Sequence, residues 1–477
     1  MAIDLLVRNG TIVTPDSTFK AAIGIDDGII VAIGEETSMP EGTTVVDAKG
    51  LSVLPGLIDA HVHFREPGLE YKEDFNTGSQ AAACGGITTV VDMPNVNPAT
   101  ADVDSFLLKK KHLEGKSYID IAVLAVVIPT NQDDLKKLWK AGVIGYKVFL
   151  GETVGGIPAP NDGQLLDAWK VIAETGRRTC IHGEHRPIVS HLIEKLKAQG
   201  RKDPLAHVDS RPPISAVEAV MTAILYCKET GAKLHDLHEG CKEVIELIRE
   251  TKAKGEVDVT CETGPHYLLL VAEDMKKKGN LMRMNPPIRY RGHQEALWEG
   301  LKDGTIDMLA TDHSPHTVEE KSRKSIWDTI PGFPGVETNV PLILTQVNKG
   351  MLTLNEYARL QSENPAKVWQ MYPKKGCIAV GSDGDLTLVD MNRTATLRAK
   401  KLHSKSKITP FDGWKVKGMP VYTIVRGNVV MKDGKIEGQP LGRIAYPVDH
   451  KPQRIRKSAP KAKTKRKPSA KTSRRKK

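Results

Sequence analysis

Apolar and polar residues follow two different patterns, one in the middle of the chain and another at both ends. Between residues 55 and 377, short apolar runs alternate with helical stretches, and this alternation is typical of a parallel βα barrel. The runs are LSVLPGLIDAHVH, GITTVVDMPN, IDIAVLAVV, VIGYKVFLG, RRTCIHGE, AKLHDLH, VDVTCETGPH and IDMLATDHSPH. Because there are eight of them, the pattern predicts an α/β fold with a TIM-like (β/α)8 barrel.

The two ends of the chain show short strand-like segments separated by turn residues. Residues 1–54 contain IGIDDGIIVAIG, and residues 378–446 contain YTIVRGNVVMKDGKIEG, in which Asp-Gly and Gly-Asn pairs mark hairpins. We therefore expect both ends to form one discontinuous β-sandwich domain beside the barrel. Two unrelated β-extensions are the alternative interpretation.

The net charge of +11 is concentrated at the end of the chain. Residues 451–477 hold 14 Lys and Arg and no acid, which leaves 11 − 14 = −3 for the rest of the chain. Such a low-complexity segment cannot bury enough apolar surface to fold, so residues 447–477 are predicted to be a disordered basic tail. It would act as a solubilising segment with nonspecific nucleic-acid contacts, or alternatively bind a specific RNA, DNA or protein.

Cysteine usage and hydropathy indicate a cytoplasmic protein without a membrane span. The six cysteines include no CxxC pair, so the sequence indicates neither a disulfide framework nor a thiolate zinc site. The N-terminus lacks the pattern of a signal peptide, and nowhere do about 18 uncharged apolar residues run together.

Metal-ligating residues stand at the ends of the predicted barrel strands. His61, His63 and Arg65 alternate along the first run, so their side chains project to the same side. Active sites of such barrels form where the strands end. Later runs contribute Lys147, His182, His238 and Asp312. Together these residues predict a metal site, although a single histidine would more often be structural. His235 competes with His238 for the sixth strand.

Lys147 lies inside the run VIGYKVFL, where burial disfavours a charged ammonium. A neutral amine can react with carbon dioxide to give a carbamate, an anionic ligand with two oxygens that could bridge two cations. Imidazole and oxygen donors without thiolates favour zinc, with other divalent metals possible. Lys147 is therefore predicted to be carboxylated and to bridge metals.

The sequence resembles the metal-dependent amidohydrolase superfamily, and within it the dihydroorotases related to allantoinases and hydantoinases. The resemblance covers residues 3–446 and rests on PGLIDAHVHFREPG, GGITTVVDMPN, GYKVFLGET, HGE, CETGPHY, NPPIR, ATDHSPHT, GFPGVET and VGSDGDLTLVD. It implies two zinc ions per chain. His61 and His63 would hold one, together with Asp312, and carboxylated Lys147 would bridge to the other, on His182 and His238. The segment HEGCKE departs from the usual family sequence after that last histidine.

The predicted substrate follows from an anion site beside the metals. Arg65, Asn95, Asn285 and His316 are expected to clamp the carboxylate of dihydroorotate, with Arg65 as the charged partner. The predicted reaction is the reversible cyclisation of N-carbamoyl-L-aspartate to L-dihydroorotate in pyrimidine (UMP) biosynthesis. An allantoinase, a hydantoinase or dihydropyrimidinase, and a non-catalytic scaffold of the same fold are the alternatives.

The sequence also leads to expectations about the catalytic residue, the partners and a polar segment near the site. Asp312 is predicted to be the catalytic residue, a general base that accepts a proton from the attacking water and returns it to the departing nitrogen. A homo-oligomer, and association with a carbamoyltransferase, are expected from the resemblance alone. Residues 317–329 are polar and form either a mobile lid or an ordered surface loop.

Overall fold

A computed structural model describes residues 2–151 and 156–451 of the chain. In chain order its strands are β1 (Ile3–Arg8), β2 (Thr11–Val13), β3 (Thr18–Lys20), β4 (Ala22–Asp26), β5 (Ile29–Gly34), β6 (Gly42–Asp47), β7 (Ser52–Pro55), β8 (Leu57–Val62), β9 (Ile87–Asp92), β10 (Asp120–Val126), β11 (Gly145–Phe149), β12 (Arg178–His182), β13 (Lys233–Asp236), β14 (Val259–Thr263), β15 (Met308–Leu309), β16 (Leu386–Thr396), β17 (Lys415–Val425), β18 (Asn428–Lys432) and β19 (Lys435–Ile436).

Helices follow most of the barrel strands and pack around them. They are α1 (Phe75–Cys84), α2 (Val103–Leu113), α3 (Gln132–Ala141), α4 (Asp162–Ala173), α5 (Arg186–Ala198), α6 (Pro204–Asp209), α7 (Pro213–Thr230), α8 (Lys242–Lys254), α9 (Pro265–Leu269), α10 (Met275–Lys278), α11 (Gln294–Asp303), α12 (Val318–Lys321), α13 (Val336–Val347), α14 (Leu354–Ala358) and α15 (Asn364–Val368). Helix α7 ends at Gly231, whose φ of 74° is typical of a glycine that terminates a helix.

Strands β8 to β15 form a parallel sheet in sequential order. The sheet closes where the chain after β15 meets the end of β8, because the backbone N–H of His63 donates to the carbonyl of His313 at 2.8 Å. Side chains of β8 to β12 are buried on both faces, as helix-covered parallel strands require. All eight predicted runs contain a barrel strand, which brings their ends together at one face.

Strands from both chain ends form two further sheets beside the barrel. Their orders are β5-β4-β1-β6 and β19-β18-β17-β16-β7-β2-β3. The second sheet joins the two ends, since Leu386 of β16 pairs with Pro55 of β7. Both sheets share a core that includes Leu5, Ile25 and Leu388. The fold-class prediction of a barrel with a smaller β domain from both chain ends is confirmed.

The first apolar run, LSVLPGLIDAHVH, divides into two strands of different sheets. Strand β7 belongs to the seven-stranded sheet, and β8 begins the barrel after Gly56. A Cβ at Gly56 would lie 2.5 Å from Thr88 Oγ1 and 2.6 Å from the Cβ of Asp385, so only glycine fits this crossing. The domain boundaries given above, at residues 54/55, 377/378 and 446/447, stay predictions.

Most of the basic tail, residues 452–477, lies outside the described residues, and with it the tail's predicted disorder. No helix in the described part of the chain is both long enough and apolar enough to cross a bilayer. Within residues 317–329 the chain forms α12 and a 3-10 turn (Ile326–Asp328), and the buried ammonium of Lys321 donates to the carbonyls of Arg283 and Ile330.

A buried ion cluster connects the barrel with the β sheets at the end opposite the strand carboxyl termini. The ammonium of Lys375 lies 2.8 Å from Asp120, 3.0 Å from Asp383 and 2.7 Å from Asp385. Burial alone would lower the pKa of Lys375, but the three carboxylates raise it above its usual value. Asp120 begins β10 of the barrel, and Asp385 directly precedes β16 of the seven-stranded sheet. The Lys375 ammonium therefore links the barrel to this sheet through ion pairs.

Replacing Lys375 with Met is expected to lower the free energy of unfolding by about 3 to 5 kcal/mol, because three buried carboxylates lose their shared cation. Urea-induced unfolding followed by circular dichroism measures this loss. The exposed neighbour Lys374, replaced by Met, is the matched control and should behave like the wild type. A loss below about 1 kcal/mol in Lys375→Met would contradict the assigned role.

Candidate active site

Nine of the ten predicted site residues line one cavity at the carboxyl end of the barrel strands. They are His61, His63, Arg65, Asn95, Lys147, His182, His238, Asn285 and Asp312. Phe149, Ser314, Pro331 and Gly332 complete its wall. The cavity therefore collects residues from or just after five barrel strands, β8, β11, β12, β13 and β15, and from the loops that follow β9 and α10.

His61 and His63 are each bonded through Nδ1, so both rings direct Nε2 toward the carboxylate of Asp312. His61 Nδ1 lies 2.6 Å from Glu262 Oε1, and His63 Nδ1 lies 2.7 Å from Asn95 Oδ1. These partners leave Nε2 of each ring 3.4 Å and 3.1 Å from Asp312 Oδ1. Since a metal-binding histidine usually donates its other ring N–H to such a partner, the geometry favours ligation through Nε2.

The second histidine pair converges from two neighbouring strands. His182 Nε2 lies 2.8 Å from Glu184 Oε2, which leaves Nδ1 of the same ring 3.0 Å from His238 Nε2. Glu184 is itself paired with the buried guanidinium of Arg211 at 3.2 Å. Burial would raise the pKa of Glu184, yet Arg211 and His182 lower it to about 2, so it is a carboxylate that can fix the ring.

Lys147 extends from β11 into the space between the two histidine pairs. It is 1% exposed, and burial lowers the pKa of its amine. The ammonium group lies 4.8 Å from the centroid of the Phe149 ring. Across residues 2–151 and 156–451 it makes neither a hydrogen bond nor an ion pair. Burying an amine without a polar partner costs free energy. The position of Lys147 therefore favours an additional group on or beside this amine, such as the predicted carbamate.

The chemistry of these donors fits divalent metal ions. Ring nitrogens of His61 and His63 and an oxygen of Asp312 all lie within 4.8 Å of one another. Burial lowers the pKa of His63 to about 3 and that of His238 well below its usual value, so both rings are neutral as ligation requires. None of the six predicted ligands is a thiolate, and imidazole with oxygen donors suits zinc and related metals.

Asp312 is ionised despite its burial. Burial alone would raise the pKa of this carboxyl group, but the imidazoles of His61 and His63 lower it well below its usual value. One oxygen accepts a hydrogen bond from the Ser314 hydroxyl at 2.8 Å. A carboxylate in this position can accept a proton from a water bound in the cavity.

Glu262 is a functional residue that the sequence interpretation missed. Besides His61, its carboxylate contacts His235 Nε2 at 3.2 Å and accepts the backbone N–H of His238 at 3.1 Å. It thereby positions ligands from two strands. His235 lies below the cavity, bonded to Glu262 and Thr260, so the structure places His238 and not His235 beside His182. The motif CETGPHY contains Glu262, but only its strand neighbours reveal the contact.

Three site residues adopt a left-handed backbone conformation. The φ angles are 64° for Arg65, 43° for His238 and 45° for Asp312. Residues other than glycine rarely adopt this region, and strain of this kind clusters at functional sites. Each of the three directly follows or closely follows a barrel strand, so the turn redirects its side chain into the cavity.

Arg65 provides the cation at the other side of the cavity. It is 1% exposed, and burial lowers the pKa of its guanidinium to about 10, so it stays charged at neutral pH. Nε donates to the carbonyl of Pro315 at 3.3 Å. Nη1 is buried and has no hydrogen-bond partner among the described residues. The same holds for Oδ1 of Asn285, which also lines the cavity.

His316 is the one predicted site residue that the structure does not bring to the cavity wall. It is fully buried, and its Nε2 lies 3.2 Å from Nη2 of Arg65. Lys72 and Glu320, which the sequence interpretation did not consider, contact the other ring nitrogen. His316 therefore contacts Arg65 on the side away from the cavity and does not line the space where a substrate would bind.

The chain is similar to known proteins over most of its length. The sequence profile of the Amidohydrolase family matches residues 52–430. A solved structure described as an L-hydantoinase (dihydropyrimidinase) from Arthrobacter aurescens superposes with a TM-score of 0.91 at 37% identity, covering 93% of this chain and 100% of that one. A dihydroorotase of Methanosarcina acetivorans is 38% identical over 444 residues, 92% of this chain and 94% of its own. An allantoinase of Enterococcus faecalis is 36% identical over 441 residues, 90% and 96% respectively.

Replacing His238 with Ala is expected to reduce the divalent metal content to about half of the wild-type value, because His182 alone would be left to bind on that side. Elemental analysis of the purified protein after dialysis measures the content. The exposed His191, replaced by Ala, is the control and should retain all the metal. An unchanged content in His238→Ala would contradict the assignment of the second histidine pair.

Proposed function

Because the chain belongs to the amidohydrolase family and is a cyclic amide hydrolase, we propose that it is a dihydroorotase. It interconverts N-carbamoyl-L-aspartate and L-dihydroorotate, a step of pyrimidine biosynthesis. The observation that carries the proposal is the Arg65 guanidinium, which is buried at the cavity and has Nη1 unpartnered.

An anionic substrate explains this guanidinium better than a neutral ring does. A buried charge without a partner is costly, and a carboxylate is the ligand that an arginine pairs with most strongly. Dihydroorotate carries a carboxylate on its ring, whereas the rings of hydantoin and allantoin are neutral. Overall similarity does not decide the substrate, since the hydantoinase, allantoinase and dihydroorotase relatives are 36% to 38% identical to this chain.

The substrate carboxylate binds beside the metal ligands and not on them. Arg65 follows His63 by two residues, and Asn95 both lines the cavity and contacts the His63 ring. Asn285 lies on the same wall and supplies an amide group to the ring. This arrangement holds the carboxylate at one end of the cavity while the amide to be cleaved lies at the histidine end.

The residues fit two zinc ions. His61 and His63 would hold one and His182 and His238 the other, and Lys147 in its carbamate form would supply an anionic ligand to both. When bound, such ions lower the pKa of water and polarise a carbonyl group. The support from this chain is the partnerless amine of Lys147 and the two converging histidine pairs.

Asp312 performs the proton transfer. Its low pKa makes it a base, and Oδ1 lies at the histidine end of the cavity. It takes a proton from the attacking water and delivers that proton to the ring nitrogen as the amide bond breaks. In the biosynthetic direction the same proton moves from the carbamoyl nitrogen back to the water that leaves.

We place the enzyme in the reducing cytoplasm, and the support is that its six cysteines, all described, are free thiols. A homo-oligomer, an association with a carbamoyltransferase, and nucleic-acid contacts of the tail stay predictions from the sequence.

Lys147→Ala is expected to lose activity by at least about 100-fold, because no anionic group remains between the histidine pairs. Acetate or propionate added at high concentration should restore part of it by supplying a carboxylate at the vacated position. Steady-state turnover with and without these acids measures both effects. Lys140→Ala, on an exposed face of α3, is the control. Full activity in Lys147→Ala would exclude the bridging role.

Arg65→Met tests the substrate. Loss of the buried cation should reduce kcat/KM for dihydroorotate by about 30-fold to several thousandfold, since truncating a desolvated charge pair costs about 2 to 5 kcal/mol. Turnover of dihydroorotate, allantoin and hydantoin is compared side by side in the zinc-loaded variant and wild type, with metal content measured in parallel.

The matched control is Arg291→Met, which removes an exposed arginine outside the cavity. Neutral rings should respond little to Arg65→Met. A wild-type preference for allantoin or hydantoin would replace the proposed substrate by that ring. Unchanged dihydroorotate turnover in Arg65→Met would exclude Arg65 as its carboxylate partner.

A further inference from the structure

The cavity wall that carries Asn285 is held in place by side chains from other parts of the barrel. Residues 283–290, all of them described, form neither helix nor strand. A regular hydrogen-bond ladder therefore cannot satisfy their backbone carbonyls, and a buried carbonyl without a donor costs free energy. Lys321 supplies one donor, to the carbonyl of Arg283 at 3.0 Å. The shape of this wall thus depends on which side chains donate to it.

His207, which lies in α6, donates to the carbonyl of the residue before Asn285. Its Nε2 lies 2.8 Å from the carbonyl oxygen of Met284, and since that oxygen can only accept, the ring proton is on Nε2. Nδ1 then has to accept, and the group facing it is Nη1 of Arg211 at 3.3 Å, which can only donate. Burial, followed by the charges of Arg211 and Arg283, lowers the pKa of His207 well below its usual value. The ring is therefore neutral, and both contacts require the same tautomer.

Tyr267, which lies in α9, donates to the carbonyl of the residue after Asn285. Its hydroxyl lies 2.9 Å from the carbonyl oxygen of Pro286. The residue is 2% exposed, and burial raises the pKa of the phenol well above its usual value, so the hydroxyl keeps its proton. The ring packs against the backbone of Gly240, where a Cβ would lie 2.4 Å from Cδ1 of Tyr267. This packing leaves the ring little room to move away from Pro286.

Asn285 lies between these two anchored carbonyls and faces the cavity. Its side-chain Oδ1 is buried and has no hydrogen-bond partner among the described residues. A buried acceptor in this state costs free energy until a donor reaches it. Dihydroorotate, hydantoin and allantoin all carry ring N–H groups that could be this donor.

We propose that His207 and Tyr267 are positioning residues for substrate recognition, because they hold the backbone on both sides of Asn285 and so keep its Oδ1 available to a ring N–H of the substrate. The proposal rests on the proposed function, in which Asn285 contacts the substrate ring. Neither His207 nor Tyr267 is among the described residues that line the cavity. Their effect on the substrate is therefore transmitted through Asn285.

The experiment uses the zinc-loaded full chain and the variants Tyr267→Phe, His207→Leu, His207→Gln, Asn285→Ala and the double variant of Tyr267→Phe with Asn285→Ala. Steady-state kinetics give kcat and KM for dihydroorotate, hydantoin and allantoin. Elemental analysis gives the metal content, and thermal unfolding gives Tm. Tyr357→Phe is the matched control, because the Tyr357 hydroxyl is also buried but has no hydrogen-bond partner in the described part of the chain.

Tyr267→Phe is expected to raise KM for dihydroorotate about five- to tenfold, with kcat changed less than about twofold and the metal content unchanged. His207→Leu should raise KM similarly, whereas His207→Gln keeps an N–H for the Met284 carbonyl and should stay within about threefold of the wild type. Tyr357→Phe should have the KM of the wild type.

The double variant tests whether Tyr267 acts through Asn285. Once Asn285→Ala has removed the amide, Tyr267→Phe should raise KM by less than about a further twofold. A hydroxyl with a merely structural role would lower Tm in both backgrounds and would not produce this dependence of KM on Asn285. The cycle needs only Tyr267→Phe and Asn285→Ala, so it decides the question even if His207→Leu does not fold.

The outcomes separate this proposal from the proposed function. A residue whose variant, Tyr267→Phe or His207→Leu, leaves KM within about twofold of the wild type loses its positioning role, while the function stands. An undiminished rise of KM from Tyr267→Phe in the Asn285→Ala background would also overturn the proposal. If the wild type turns over hydantoin or allantoin but not dihydroorotate, the proposed function fails, and the same cycle on that ring decides the positioning role. A wild type inactive on all three rings overturns both.

Discussion

The site depends on one constraint, which is that four imidazole rings must be kept inside a buried cavity with one ring nitrogen of each turned to its centre. Carboxylates or amides behind three of the four histidines satisfy it by binding the opposite ring nitrogen. Glu262 meets this requirement for His61 while also holding the backbone of His238. Because the two carboxylate supports, Glu262 and Glu184, are buried, removing either one would leave its histidine without a partner for the outer ring nitrogen.

The barrel places these groups, and the β sheets hold the barrel at its other end. Closure of β8 against the chain after β15 brings His61 and His63 beside Asp312, although 249 or more residues separate them in sequence. On the opposite face, Lys375 joins the start of β10 to the start of β16 through Asp120 and Asp385. The barrel is therefore joined to the β sheets by charge at one end and carries the candidate ligands at the other.

Much of the fold and of the metal ligands could be predicted because both depend on local pattern. A period of two places His61 and His63 on one side of the chain where β8 ends, and buried runs that end in polar residues mark the cavity face. Arg65, which was expected to continue this alternation, instead lies in a turn after β8 with φ of 64°. Glu262 and Lys72 could not be found in this way, since each contacts partners far away in sequence. His316 shows the limit most clearly. Its residue type suggested a substrate donor, but in the structure its ring contacts Arg65, Lys72 and Glu320 and does not line the cavity.

The two halves of the cavity are therefore determined by different kinds of contact. The histidine half is fixed by backbone strands and by buried carboxylates that any hydrolase of cyclic amides on this frame would need. The arginine half depends on Arg65 in the turn after β8 and on His316, which contacts it on the side away from the cavity. A few changes there would alter the charge offered to the ring while leaving overall similarity unchanged. Relatives named for three different substrates are almost equally similar to this chain, so overall identity does not distinguish the substrates and the contacts of Arg65 are the more informative observation.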